Sequence, residues 1–170
     1  VVGNIIVAAL LSVSIVIIAF FDILPAIDQD NRLRMKEAFS ILMDYAIFAF
    51  IINLIREIVK DLEDLDGDYQ TGMNTLPIAI GIQKTKAIVG ILTVIAVLLL
   101  AYYLKTSLYE LDYTIYYALV FIIGPLVYFG AKLSNAKAKD EFHHLSMVLK
   151  AVLFFGILSV AVIVYNLQNA

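Results

Sequence analysis

The stretch VVGNIIVAALLSVSIVIIAFFDIL, Val1–Leu24, decides the fold. It carries no charge before Asp22 and no alternation of polar with apolar residues. At about 1.5 Å of rise per residue it is long enough to cross a ~30 Å hydrocarbon core as a helix. In lipid each backbone amide must be satisfied within the segment or by a closed barrel, and a continuous apolar run meets that condition as an α-helix. A secretory leader would begin with basic residues and carry a shorter apolar run before a small-residue cleavage site. Nothing basic precedes this one. We therefore read it as a transmembrane helix with sequence upstream, and the chain, which opens on Val, as the C-terminal part of a longer polypeptide.

Outward from this run the pattern repeats. The spans fall at about 1–24, 38–60, 87–104, 113–131 and 148–166, with residues 61–86 as an acidic loop, all within one membrane domain, 1–170. The composition agrees: 62% of the 170 residues are hydrophobic and 16% charged, against roughly 45–50% and 25% in soluble domains. A mean hydropathy of +0.93 excludes a disordered chain, a basic nucleic-acid module and an ordinary water-soluble enzyme. Zero Cys excludes a disulfide scaffold, a zinc ribbon and thiolate catalysis, and two His do not make a histidine-rich metal site. The fold class is an all-α, polytopic transmembrane bundle of five spans in the lipid bilayer.

Lys and Arg in the connections give the orientation. Arg56, Lys60, Lys84 and Lys86 follow the second span, and Lys132, Lys137, Lys139 and Lys150 follow the fourth; the other side holds Arg32, Arg34, Lys36 and Lys105. The eight-to-four ratio places the first two groups in the cytoplasm. Tyr102, Tyr103, Tyr109, Tyr113, Tyr116 and Tyr117 form an aromatic belt at the opposite interface. Pro25 ends the first span, and Pro125 predicts a kink in the fourth, its freed carbonyl needing a neighbour. Asp44 lies either near an interface or toward a polar cavity. Ser12 and Ser14 are expected to bond their own i−4 carbonyls.

The informative polar stretch is REIVKDLEDLDGD, Arg56–Asp68, which holds six of the chain's 15 acids. If the second helix continues until Gly67 ends it, Glu57, Asp61, Asp64 and Asp68 share one face. Ile58, Leu62 and Leu65 then form the adjoining apolar stripe. Two unit charges ~6 Å apart repel by about 3 kcal/mol at an effective dielectric near 20, and a helix C-terminus adds to the cost. Proton uptake, basic neighbours or a bound cation must offset this. A solvated helix end and a cation site both remain open; for the latter, carboxylates at this spacing suit Mg²⁺, which typically bridges one or two of them to phosphate oxygens. His143 and His144 read as ordinary interface residues.

The stretch Arg56–Gly81, REIVKDLEDLDGDYQTGMNTLPIAIG, resembles the second aspartate-rich motif of UbiA-type intramembrane prenyltransferases. It is most similar to the digeranylgeranylglyceryl phosphate synthase-like branch, where R-E-x-x-K-D-x-E-D leads to G-D and then T-L-P. The resemblance implies that the five spans are the fifth to ninth helices of a nine-helix bundle, with Gly3-Asn4 opening the fifth. It implies two acidic motifs facing each other across a cavity open to the cytoplasm, holding Mg²⁺ for the diphosphate of a polyprenyl donor. The D-x-x-x-D element falls on Asp64 and Asp68, with Asp61 as an accessory metal ligand and Lys60 and Arg56 as diphosphate-binding or carboxylate-orienting groups. Asn74 departs from the Lys that many relatives carry before the Thr.

The resemblance thus implies an integral membrane enzyme, expected in the plasma membrane, that moves a polyprenyl group from its diphosphate to a hydrophobic lipid or aromatic acceptor. A geranylgeranylglyceryl phosphate-like acceptor fits the branch. The first aspartate-rich motif would lie in the missing N-terminal half, leaving this piece inactive alone. The competing readings are an ion-coupled transporter, which would place its acids near the bilayer midplane, and a non-catalytic membrane scaffold.

Overall fold

The computed structural model describes residues 2–109 and 111–168, with side chains through Asn166; Val1, the expected start of the first span, lies outside the described residues. Among the described residues every regular element is helical. Five helical segments are long and apolar enough to cross a membrane: Val2–Ala26, Arg32–Glu63, Ile82–Ser107, Asp112–Asn135 and Lys139–Asn166. The first comprises α1 (Val2–Ile18), a π-turn at Ala19–Ile23 and a 3₁₀ turn at Leu24–Ala26. Then come α2 (Arg32–Glu63), the short α3 (Leu65–Gln70) and α4 (Leu76–Ile80), and α5 (Ile82–Ser107). The fourth segment is α6 (Asp112–Ala118), a π-turn at Leu119–Ile123 and α7 (Gly124–Asn135); α8 (Lys139–Gln168) completes the bundle.

The middle of the bundle is α2, which touches α1, α5 and α8, while α7 packs on α5 and α8. Its buried side chains Ile52, Ile55 and Val59 follow helical spacing. They meet Val89 and Ala96 of α5, Leu126, Phe129 and Leu133 of α7, and Leu145, Leu149 and Val152 of α8 in one continuous core. Against α1 the contact is made by small residues instead: Ala8, Ala19 and Ala46 are buried. Where lipid is as apolar as the core, close backbone approach and interhelical hydrogen bonds are what hold helices together. Ser12 Oγ accordingly donates to Ala46 O on α2 at 2.8 Å, across the interface and not to its own i−4 carbonyl as expected; Ser14 bonds locally, to Leu11 O. Large apolar residues such as Leu10, Phe21, Ile91, Leu98 and Ile157 stay exposed on the outside, as a lipid-facing surface requires.

Pro125 has no amide hydrogen for the carbonyl four residues earlier, and its ring would crowd that carbonyl. The chain answers by widening the preceding turn: Gly124 N–H donates to Leu119 O, five residues back. The expected kink is thus a π-turn, and a Cβ on Gly124 would come within 3.2 Å of Leu119 O. Of the tyrosine belt, Tyr102, Tyr109, Tyr113 and Tyr116 are exposed, whereas Tyr117 Oη donates inward to Phe155 O at 2.9 Å.

Candidate active site

The end of α2 does not run to Gly67. Regular helix stops after Glu63, Asp64 adopts φ −97 and ψ 11, and α3 restarts at Leu65. Gly67 therefore sits inside α3. The residue that closes it is Gly72, at φ +69. Gly72 N–H bonds Tyr69 O and Met73 N–H bonds Asp68 O, the paired bonds of a Schellman cap that only a left-handed residue completes cheaply. The chain then folds back through Thr75, and Pro77 in the first turn of α4 supplies a preset φ with no amide to leave unpaired. The apolar stripe matches expectation, with Ile58 and Leu62 buried and Leu65 half-buried.

This backbone sets the acids at different depths. Asp64 and Asp66 are exposed, and Asp61 and Asp68 are half-buried. Asp64 and Asp68 stand one turn apart, since Asp68 N–H donates to Asp64 O at 3.0 Å. Asp61 and Asp68 are close enough to act on each other electrostatically. Asp61 Oδ2 accepts from Asn4 Nδ2 of α1 at 2.7 Å, and the Leu76 backbone amide also faces its carboxylate. One carboxylate thereby ties α1, α2 and the start of α4 together.

The basic residues divide. Arg56 turns back along its own helix, Nη1 lying 2.6 Å from Glu57 Oε1 and 3.5 Å from Asn53 Oδ1. Lys60 is half-buried and, among the described residues, has no carboxylate partner. Two further bases arrive from α8. Glu141 Oε2 accepts the Lys137 and Ala138 amides, capping the helix start so that its first turns face the acids. Lys139 Nζ lies 3.7 Å from Asp64 Oδ1, and His143 Nδ1 is 2.9 Å from Glu63 Oε1. Lys139 and Asp64 are both largely exposed, so their pair contributes under about 1 kcal/mol.

Asn4, Glu63, Lys139 and His143 thus join the site without having been singled out as site residues from the sequence. The one available signal was an amide in the first turn of an otherwise uncharged helix. His144 lies outside the cluster, 3.0 Å from Tyr128 Oη. Among the described residues no three acidic or imidazole side chains converge tightly enough to enclose an ion. The Asp64–Asp68 pair matches the donor set of Mg²⁺, which usually takes one or two carboxylates and completes its shell with water and phosphate oxygens.

Comparison with known proteins adds to this geometry. The family described as VviA prenyltransferase matches residues 6–160. The chain belongs to that family. It is 32% identical over 118 residues to the digeranylgeranylglyceryl phosphate synthase of Methanosphaera stadtmanae, covering 67% of the chain and 41% of that protein. With the same-named protein of Thermococcus gammatolerans the identity is 35% over 122 residues, covering 66% and 39%. That of Pyrococcus furiosus reaches 56% over 54 residues, 30% of the chain and 20% of the relative. The chain spans about two fifths of the length of the first two relatives. No solved structure matches. The prenyltransferase resemblance carried by Arg56–Gly81 is borne out.

Proposed function

We propose that this chain is part of an intramembrane prenyltransferase that transfers a polyprenyl group from its diphosphate to the free hydroxyl of a glyceryl phosphate lipid. The reading is carried by one observation. Within the matched family region, Asp64 and Asp68 stand a turn apart where α2 breaks, beside a Lys60 that has no carboxylate partner among the described residues. Bound Mg²⁺ would neutralise charge building on the departing diphosphate.

Asp64 and Asp68 would hold the metal, with Asp61 as an accessory ligand oriented by Asn4. Lys60 would meet a phosphate oxygen directly. Arg56, engaged with Glu57, would orient the acidic face and reach the diphosphate by rotating off that partner. The donor's C–O bond breaks toward diphosphate, the acceptor oxygen bonds the freed prenyl carbon, and the hydroxyl proton leaves to solvent or a carboxylate. An apolar bundle keeps water from the cationic carbon. The first acidic motif would come from sequence upstream, and the α1 surface left open by its packing on α2 offers room for those helices. The excess of Lys and Arg at this end supports a site that faces the cytoplasm.

The test uses the full-length protein in lipid vesicles with geranylgeranyl diphosphate and a monoprenylated glyceryl phosphate. Diphosphate release should require Mg²⁺ and fall roughly 10²–10³-fold in Asp64→Asn and Asp68→Asn, the range for losing a charge-stabilising group. Unchanged turnover in both variants refutes the site. Turnover indifferent to Mg²⁺ refutes the metal.

A further inference from the structure

A cavity of about 350 Å³ lies at the end of the bundle opposite the acidic cluster, walled by α2, α5, α6 with its π-turn, and α8. Asp44 lines it, some 25 Å before Asp61 along α2 at about 1.5 Å per residue. The cavity is therefore separate from the acidic cluster. Most of its wall is apolar, with Phe48, Leu100, Ile122 and Ile163 contributing. Of its polar groups, Thr106 Oγ1 donates to Tyr102 O and lies 3.5 Å from Ser107 Oγ; two further sets stand apart. Tyr45 and Ser159 satisfy each other, Tyr45 Oη bonding Ser159 Oγ and Ser159 donating on to Gly156 O.

The second set is unsatisfied. Thr114 is only 2% exposed, yet its Oγ1 has no hydrogen-bond partner, and neither has the buried Tyr103 Oη. Both residues line the cavity. Asp44 lies close enough to Tyr103 to act on it electrostatically, and among the described residues no Lys, Arg or His pairs with it. Buried hydroxyls are almost always bonded, so two unpartnered ones around a single cavity point to a missing partner. Water answers only locally, because a bound water needs two to four polar partners and most of this wall offers none.

A hydroxyl fits the polar corner: it donates to a carboxyl and accepts from Tyr or Thr. An ammonium would have to shed its hydration against a mostly apolar wall, and an ester has no proton for Asp44. At about 30 Å³ per water-sized group, the cavity takes about a dozen non-hydrogen atoms. We propose that this cavity binds a small lipid alcohol, its O–H directed at Asp44, its oxygen accepting from both Tyr103 and Thr114, and its hydrocarbon against Phe48, Leu100 and Ile122.

The experiment adds 1-decanol to the full-length protein in detergent and follows binding by native mass spectrometry and thermal unfolding, with n-decane and decylammonium as comparators. One decanol should bind saturably and raise the unfolding temperature, with n-decane and decylammonium at least tenfold weaker. Tyr103→Phe and Thr114→Val should each weaken decanol about tenfold while leaving n-decane unchanged, as expected for one lost hydrogen bond. A Cβ on Gly156 meets nothing within 4 Å, so Gly156→Leu should fill the space and abolish binding; if Thr114→Val does not fold, Tyr103→Phe and Gly156→Leu carry the same test. Equal binding of n-decane, tighter binding of decylammonium, insensitivity to Tyr103→Phe and Gly156→Leu, or no saturable binding of decanol would each overturn the proposal.

Discussion

The contact between Asn4 and Asp61 carries a sharp expectation, because it joins the first turn of α1 to the last turns of α2 through one bond. Asn4 Nδ2 donates to Asp61 Oδ2 at 2.7 Å in a half-buried setting. A hydrogen bond to a charged group contributes about 1.5–3 kcal/mol, and partial exposure argues for the lower end. We therefore expect a coupling of about 1.5 kcal/mol in a cycle of Asn4→Ala, Asp61→Ala and the double variant, which is roughly tenfold in the unfolding equilibrium. Asp61→Asn supplies a control: its side-chain oxygen still accepts from Asn4, so it should cost less than Asp61→Ala while losing the charge. The assay is reversible unfolding in mixed micelles, read by circular dichroism at a fixed detergent ratio. A coupling below about 0.5 kcal/mol, within the scatter of non-interacting pairs, would refute the claim that this bond holds α1 at the acidic end. Under the functional reading, Asn4→Ala should also raise the KM for the diphosphate donor more than it lowers kcat, because Asn4 orients a carboxylate without touching the reacting atoms.

Two other predictions concern stability. Lys86 is buried, and its ammonium donates to Ser134 O and Ala136 O at 2.8 and 2.9 Å, tying the start of α5 to the end of α7; Lys86→Met should cost about 3 kcal/mol in the same unfolding assay, since it strips two charge-assisted bonds and leaves the buried Ala136 carbonyl unpaired. Glycines on two helices should respond with opposite signs. Gly90→Ala, with open space around the new Cβ, should stabilise by about 0.5–1 kcal/mol through helix propensity. Gly124→Ala should destabilise by about 1 kcal/mol because its Cβ would press on Leu119 O at 3.2 Å.

Span number and helical type were legible in the sequence because they depend on local quantities, namely apolar run length and backbone satisfaction in lipid. The acidic motif was legible for a related reason: Arg56–Asp68 lies within one helix end and its short continuation, so sequence spacing nearly equals spatial spacing. Where that equivalence fails, so did the reading. Asp64 breaks the helix before Gly67, and the left-handed residue that ends α3 is Gly72, because the Thr75–Pro77 turn beyond it must fold back onto Asp61. Pro125 announced a distortion but not its form; the π-turn depends on Gly124 tolerating Leu119 O.

By itself, then, the chain's order of residues determined a five-span helical membrane body with carboxylates gathered at one end, since hydropathy and helical periodicity act over neighbouring residues. Tertiary packing alone decided which side chains meet those carboxylates. Asn4 reaches Asp61 from α1, while Lys139 and His143 reach Asp64 and Glu63 from α8. Those encounters depend on how rigid helices lie against one another, and packing of that kind is set by the shapes of buried faces such as the small-residue face of α1 around Ala8 and that of Ile55 across the core. The cavity around Asp44, Tyr103 and Thr114 has the same origin: Asp44 of α2 lies far in sequence from Tyr103 of α5 and Thr114 of α6, and only their assembly leaves two hydroxyls facing an unfilled space.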